Sequence, residues 1–148
     1  MTPNPISLDQ LEWERTCPEA ITSDTIWTLD AYRSSLYLLD LARADIRDAV
    51  KRGLSPEIAS QLLRSVTSVS ANLAEGYSRS TRGDRLRFYG YALGSLRECM
   101  SWYRAASDFL AADSTAHRLN VVSRIRRLLL GLIRSTRARS SSRHDFEP

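Results

Sequence analysis

Between Thr25 and Arg137 the chain contains a single proline, Pro56, and it stands where a helix would begin. A proline inside a helix removes a backbone hydrogen bond and clashes with the preceding turn. Its near-absence over this stretch permits long, unbroken helices. Apolar residues recur there at spacings of three and four, and no alternating strand pattern competes.

The spacing predicts four helices. The first spans about 25–52, with Asp24 as N-cap and Leu29, Tyr32, Leu36, Leu39, Ile46 and Val50 on its apolar line, interrupted by Arg43. Gly53 ends it. The second opens at Ser55-Pro56-Glu57, an N-cap followed by proline at the first helical position and an early acid. Ile58, Leu62, Val66, Val69 and Leu73 form its line, which runs out near Tyr77. A turn follows over Ser80–Asp84, with Thr81 and Asp84 spaced as in a capping box. The third helix reaches about Ala112, and the fourth, capped by Asp113-Ser114, reaches about Arg137. Leu119, Val122, Leu129 and Ile133 share one face of the fourth. Short connections between long amphipathic helices predict an all-α protein, an antiparallel up-and-down four-helix bundle over 25–137. Residues 1–24, acidic and holding three prolines, are expected to be a loosely ordered arm with one short helix around Leu8–Glu14. Residues 138–148 are expected to be a polar tail.

The third helix carries two apolar lines. One is Leu86, Tyr89, Leu93, Leu96, Met100, Tyr103 and Leu110; the other is Phe88, Ala92, Cys99, Trp102, Ala106 and Phe109. A bundle helix needs one stripe about 100° wide. The surplus predicts an oligomer interface at Phe88, Trp102 and Phe109, unless this helix is simply the most central one. Gly90 and Gly94, four apart, would let another helix approach closely.

Charge is uneven. Residues 1–50 hold nine acids and four bases (net −5), and residues 51–148 hold eight acids and seventeen bases (net +9). All the bases but Lys51 are arginine, the better residue for bidentate phosphate contacts. Arg79, Arg82, Arg85 and Arg87 surround the second turn, and Arg124, Arg127 and Arg134 repeat along the fourth helix. Arg137, Arg139 and Arg143 extend that run. The proposed topology returns these C-terminal arginines towards the turn. Phosphate backbones bind such surfaces without reading sequence; a merely solvated face is the alternative.

Asn72, Glu75 and Arg79 share a face of the second helix. Arg87, Tyr91, Gly94, Ser95 and Glu98 share one of the third. Packing across the turn predicts a polar cluster of Asn72, Glu75, Arg87, Ser95 and Glu98 that fixes register. Acid–base catalysis by Glu75 and Glu98 would need a nucleophile, metal set or phosphate loop, and none is apparent. No metal or cofactor site is expected: His117 and His144 lie far apart, without partners at ligand spacing. Cys17 and Cys99 form no disulfide framework. The opening residues do not read as a secretory signal, and the apolar run Leu128–Ile133 is far short of the ~20 residues that cross a bilayer. A cytoplasmic protein is expected.

Ser70–Tyr77, Arg79, Arg87-Phe88 and Ala92–Glu98 together resemble the core motif of the four-helix bundle family encoded in intervening sequences of bacterial 23S ribosomal RNA genes. Trp27 and Gly131-Leu132-Ile133 also sit where that family has them, so the resemblance covers about 25–137. It implies ring-like homopentamers. A related branch serves diversity-generating retroelements as an accessory protein that binds a reverse transcriptase and its RNA. The Ala74–Tyr77 motif favours the intervening-sequence branch. The expected function is therefore a non-enzymatic, homo-oligomeric bundle that binds structured RNA or an RNA–protein complex through Arg79, Arg82, Arg85, Arg124, Arg127 and Arg134. The rivals are a protein-interaction scaffold free of nucleic acid, a reverse-transcriptase accessory protein and, last, a hydrolase using Glu75.

Overall fold

The structure, a computed structural model, describes residues 9–139. Two short helices, α1 (Gln10–Glu14) and α2 (Glu19–Thr22), lead into a 3₁₀ turn, Thr25–Thr28. Four long helices follow: α3 (Asp30–Lys51), α4 (Pro56–Tyr77), α5 (Arg82–Ala106) and α6 (Ala112–Ala138). A second 3₁₀ turn, Ser107–Phe109, joins α5 to α6, and no strand occurs among the described residues.

Local chemistry sets most boundaries. Asp24 caps the 3₁₀ turn, its carboxylate accepting from Ile26 N–H at 3.0 Å. The helix proper begins only after Leu29, whose extended backbone separates the two. Gly53 adopts φ +100°, the left-handed conformation that ends a helix. The Leu54 N–H then donates back to Ala49 O at 2.9 Å, and buried Leu54 covers the junction. Ser55 accepts from Ile58 N–H at 3.3 Å ahead of Pro56. Thr81 accepts from Asp84 N–H at 3.2 Å and donates to the Asp84 carboxylate at 2.8 Å. The third long helix stops six residues before Ala112. The fourth is capped by Ala111, which offers no side-chain hydrogen bond, rather than by Asp113-Ser114.

The core is built from four seams that step by three and four residues. They run Ala31, Ser35, Leu38, Ala42, Asp45, Ala49 on α3 and Ala59, Leu62, Val66, Val69, Leu73, Gly76 on α4. On α5 the seam is Tyr89, Ala92, Leu96, Cys99, Tyr103, Ala106; on α6 it is Arg118, Val122, Ile125, Leu129, Ile133. Such near-heptad seams pack knobs into holes. Each long helix packs against the next, and α3 closes against α6. Ala49 of late α3 shares a cluster with Ala59 of early α4 and Ala106 of late α5. Leu29, Tyr77, Tyr89 and Leu132 meet at the other end.

Two apolar expectations change here. On α3 the large side chains Tyr32, Leu39 and Ile46 are only partly buried and Val50 is exposed. Small residues take the seam because they let neighbouring backbones approach. On α5 the seam draws from both predicted lines, so the two stripes are the flanks of one face. Trp102 packs on the main core and Phe109 on the cluster around Leu54 and Ala106.

The arm also differs from expectation over residues 9–24. Trp13 is 5 % exposed and packs against Trp27 and Tyr37 at ring-centroid distances of 6.3 and 5.4 Å. Its Nε1–H donates to Asp40 at 2.9 Å. Arg33 ties the same segment to α3 through Glu14 at 3.2 Å. Burying an indole with its N–H satisfied outweighs the disorder that three prolines suggested. Residues 1–8 and the 140–148 part of the tail lie outside the described residues.

Candidate nucleic-acid interface

The α4–α5 turn is built around Gly76. A Cβ there would stand 2.7 Å from Tyr89 Cε1, so only glycine lets the Tyr89 ring lie on the last turn of α4. Around that contact Arg79, Arg82 and Arg87 are exposed and Arg85 is half-buried. Arg79 pairs with Glu75, and Arg87 pairs with Asp84 at 3.0 Å. Their guanidinium carbons lie 4.9 and 5.4 Å from the centre of the Phe88 ring. Arg85 Nε donates to Arg79 O at 2.6 Å, and Arg82 Nη1 to Arg137 O at 3.3 Å. The last bond fastens the end of α6 to the turn. Arg82, Arg85, Arg137 and Arg139 meet no carboxylate among the described residues.

A cavity of about 510 Å³ opens at this end, lined by residues of α4, α5 and α6 and by Leu29. Tyr89 forms part of its wall, 3 % exposed, and burial raises its hydroxyl pKa, with Arg85 acting against that rise.

Arg124, Arg127 and Arg134 are all exposed on α6. Arg134 lies in the last turns, beside the basic end. Arg124 is fifteen residues before Arg139, about 22 Å along a helix. It and Arg127 therefore flank the bundle and do not join the arginines of the turn.

The predicted polar cluster does not assemble. Asn72 donates to Ser68 O at 2.8 Å, Glu75 holds Arg79, Arg87 holds Asp84, and Glu98 accepts from Trp102 Nε1 at 3.1 Å. Each bond joins residues three or four apart in the chain, on a partly exposed face, and Ser95 is half-buried. The helix faces point outward because the seam between them is filled by Leu73, Gly76, Tyr89 and Ala92.

Cross-helix polar anchoring sits at the opposite end instead. Arg118 donates to Asp45 from Nε at 2.8 Å and from Nη2 at 3.0 Å, both residues being under 5 % exposed. Tyr103 O–H donates to the same carboxylate at 3.1 Å. Burial and the Asp45 charge push the Tyr103 hydroxyl well above its ordinary pKa. Arg118 Nη1 lies 2.6 Å from His117 Nδ1. The signal was present in the sequence: opposite charges occupy seam positions on α3 and α6. Among the described residues no group of three or more His, Cys, Asp or Glu side chains could hold a metal ion. No described helix is long and apolar enough to cross a membrane.

Residues 30–131 match the family model of the 23S rRNA-intervening sequence protein. The chain belongs to that family. A solved structure is also similar: a protein of unknown function from the S23 ribosomal protein family of Bacteroides thetaiotaomicron. It is 22 % identical, with a TM-score of 0.66 over 70 % of this chain and 97 % of that one. At that identity the likeness speaks for the fold alone. No curated protein matches the chain. The family match spans α3, α4, α5 and most of α6, including the Gly76–Tyr89 contact; α1, α2 and the arginines after Gly131 lie beyond it.

Proposed function

We propose that this intervening-sequence protein is a non-enzymatic RNA-binding protein. It is an antiparallel up-and-down four-helix bundle whose copies join through the outer face of α5. The observation that carries the reading is the gathering of Arg82, Arg85, Arg137 and Arg139 at one end, where none of them pairs with a carboxylate among the described residues. Arginines free of internal ion pairs present their donors to an outside anion, and structured RNA supplies phosphates at matching density. Arg79 and Arg134 widen that surface, and Arg124 and Arg127 would extend phosphate contact along the flank of the bundle. Self-association no longer rests on Phe88, Trp102 and Phe109, since none is fully exposed. Its support is the open ground over Gly90 and Gly94, where a Cβ would meet nothing within 4 Å, beside exposed Tyr91.

The test is binding to a structured RNA hairpin as salt is raised. Four phosphate contacts predict that affinity falls about a hundredfold between 50 and 200 mM salt. Replacing Arg82 and Arg85 together by Gln should flatten the logarithmic salt slope by about 2. Protein that purifies free of nucleic acid, ignores the hairpin at low salt and assembles independently of salt would instead be an interaction scaffold. Light scattering at micromolar protein reads the assembly.

A further inference from the structure

The cavity at the basic end has a divided lining. Arg85 and Arg139 supply positive charge; Leu29, Tyr89 and Leu132 supply apolar wall; Ser135 and Thr136 supply hydroxyls. Both hydroxyls donate to the same carbonyl, Leu132 O, at 3.0 and 2.7 Å. With their protons so placed, they offer the cavity lone pairs only. A fitting ligand therefore carries an anion, a flat or apolar body and at least one hydrogen-bond donor. The volume, about 510 Å³, falls within the roughly 300–1,000 Å³ range of small-ligand pockets.

We infer that this cavity receives one ribonucleotide unit of an RNA strand, its phosphate at Arg85 and Arg139, its base against Tyr89 and Leu132, and its ribose hydroxyl on Ser135 or Thr136. The inference rests on the RNA-binding reading above and makes it more specific. A deoxyribose lacks the 2′-hydroxyl that those acceptors match. The surrounding surface arginines hold phosphates of either polymer, whereas the cavity distinguishes RNA from DNA.

The experiment compares a labelled single-stranded RNA decamer with DNA of the same sequence by anisotropy. Wild-type protein should prefer RNA by about tenfold. Ser135→Ala with Thr136→Val should bring RNA affinity down to the DNA level, with an unchanged melting curve to certify folding. RNA carrying 4-thiouridine should cross-link to Tyr77 or Tyr89, read by mass spectrometry even if the variant is unstable. Equal binding of RNA and DNA by the wild type, or a preference that survives the double substitution, would overturn the pocket assignment while leaving surface RNA binding intact. Binding of neither polymer would remove the RNA reading itself. Saturation of the cavity by adenosine monophosphate that the decamer cannot displace would assign it to a free nucleotide, against the present inference.

Discussion

Asp45 and Arg118 show how one pair of residues can decide register. Each would be costly alone in a seam, and together with Tyr103 they leave no donor or acceptor unmet: no buried side-chain nitrogen or oxygen among the described residues lacks a partner. Removing one charge strands the other, at a cost of about 3–5 kcal/mol. Arg118→Met should therefore lower the urea midpoint sharply. Adding Asp45→Leu and Tyr103→Phe to it should recover most of the loss, because a buried polar group replaced whole by packed apolar side chains is often neutral. His117 adds a pH dependence. Burial and the Arg118 charge, partly opposed by Asp45, lower its pKa below the usual histidine value. The unfolded chain then binds the proton more readily. Stability from this group is complete above about pH 6.5, the ordinary histidine pKa, and is lost as pH falls from there through the lowered pKa of the folded state. Thermal melts of the wild type should drop between pH 7.5 and 5.5, and His117→Asn, which keeps an acceptor near Arg118, should drop less.

At the scale of the helix, seams of small and large residues matter more than total hydrophobicity. The α4–α5 pair illustrates both kinds of helical glycine. At Gly76 on the facing α4, added bulk must displace the Tyr89 ring, and Gly76→Ala should destabilise by about 1–3 kcal/mol, as overpacking does. Gly94 on α5 has open space. In a monomer Gly94→Ala should stabilise by up to about 1 kcal/mol through helix propensity. If copies join across that face, the same change should weaken assembly in light scattering. The N-terminal helices gain their order chiefly from buried Trp13, with the Arg33–Glu14 pair beside it. Trp13→Ala should cost about 3–5 kcal/mol and make residues 9–24 susceptible to limited proteolysis. The α1–α3 helix periods were readable only in part. Spacing located α4 and its caps, but Trp13 sits among prolines, and nothing local says that Asp40 and Tyr37 will receive it.

For the whole molecule, burial and charge are segregated. Cys99 lies in the main core and its thiol is pushed up to about 11, chiefly by burial; Cys17 is also raised to about 11, first by burial and then by the charges of Asp40 and Glu14. The thiolate is the reactive form. A disulfide reagent at pH 8 should therefore label the native protein slowly, and denaturant should release the buried Cys99 thiol only with global unfolding, after half-buried Cys17. Fast labelling of Cys99 below the unfolding midpoint would mean that the core opens locally. The basic end follows from topology: α4 ends, α5 begins and α6 ends at the same place, so arginines far apart in sequence become neighbours, with Arg82 bonded to the Arg137 carbonyl.

The sequence by itself determined the helices, their order and the motif at their second turn, because helical spacing, proline placement and caps are local properties. Tertiary structure alone decided which residues of α3 and α5 fill the seam, and so moved the polar anchor from Glu75 and Ser95 to Asp45, Tyr103 and Arg118. It also drew Trp13 into the fold and set the arginines around a cavity. Those outcomes depend on contacts between residues distant in the chain, and only packing of one helix against another can choose them.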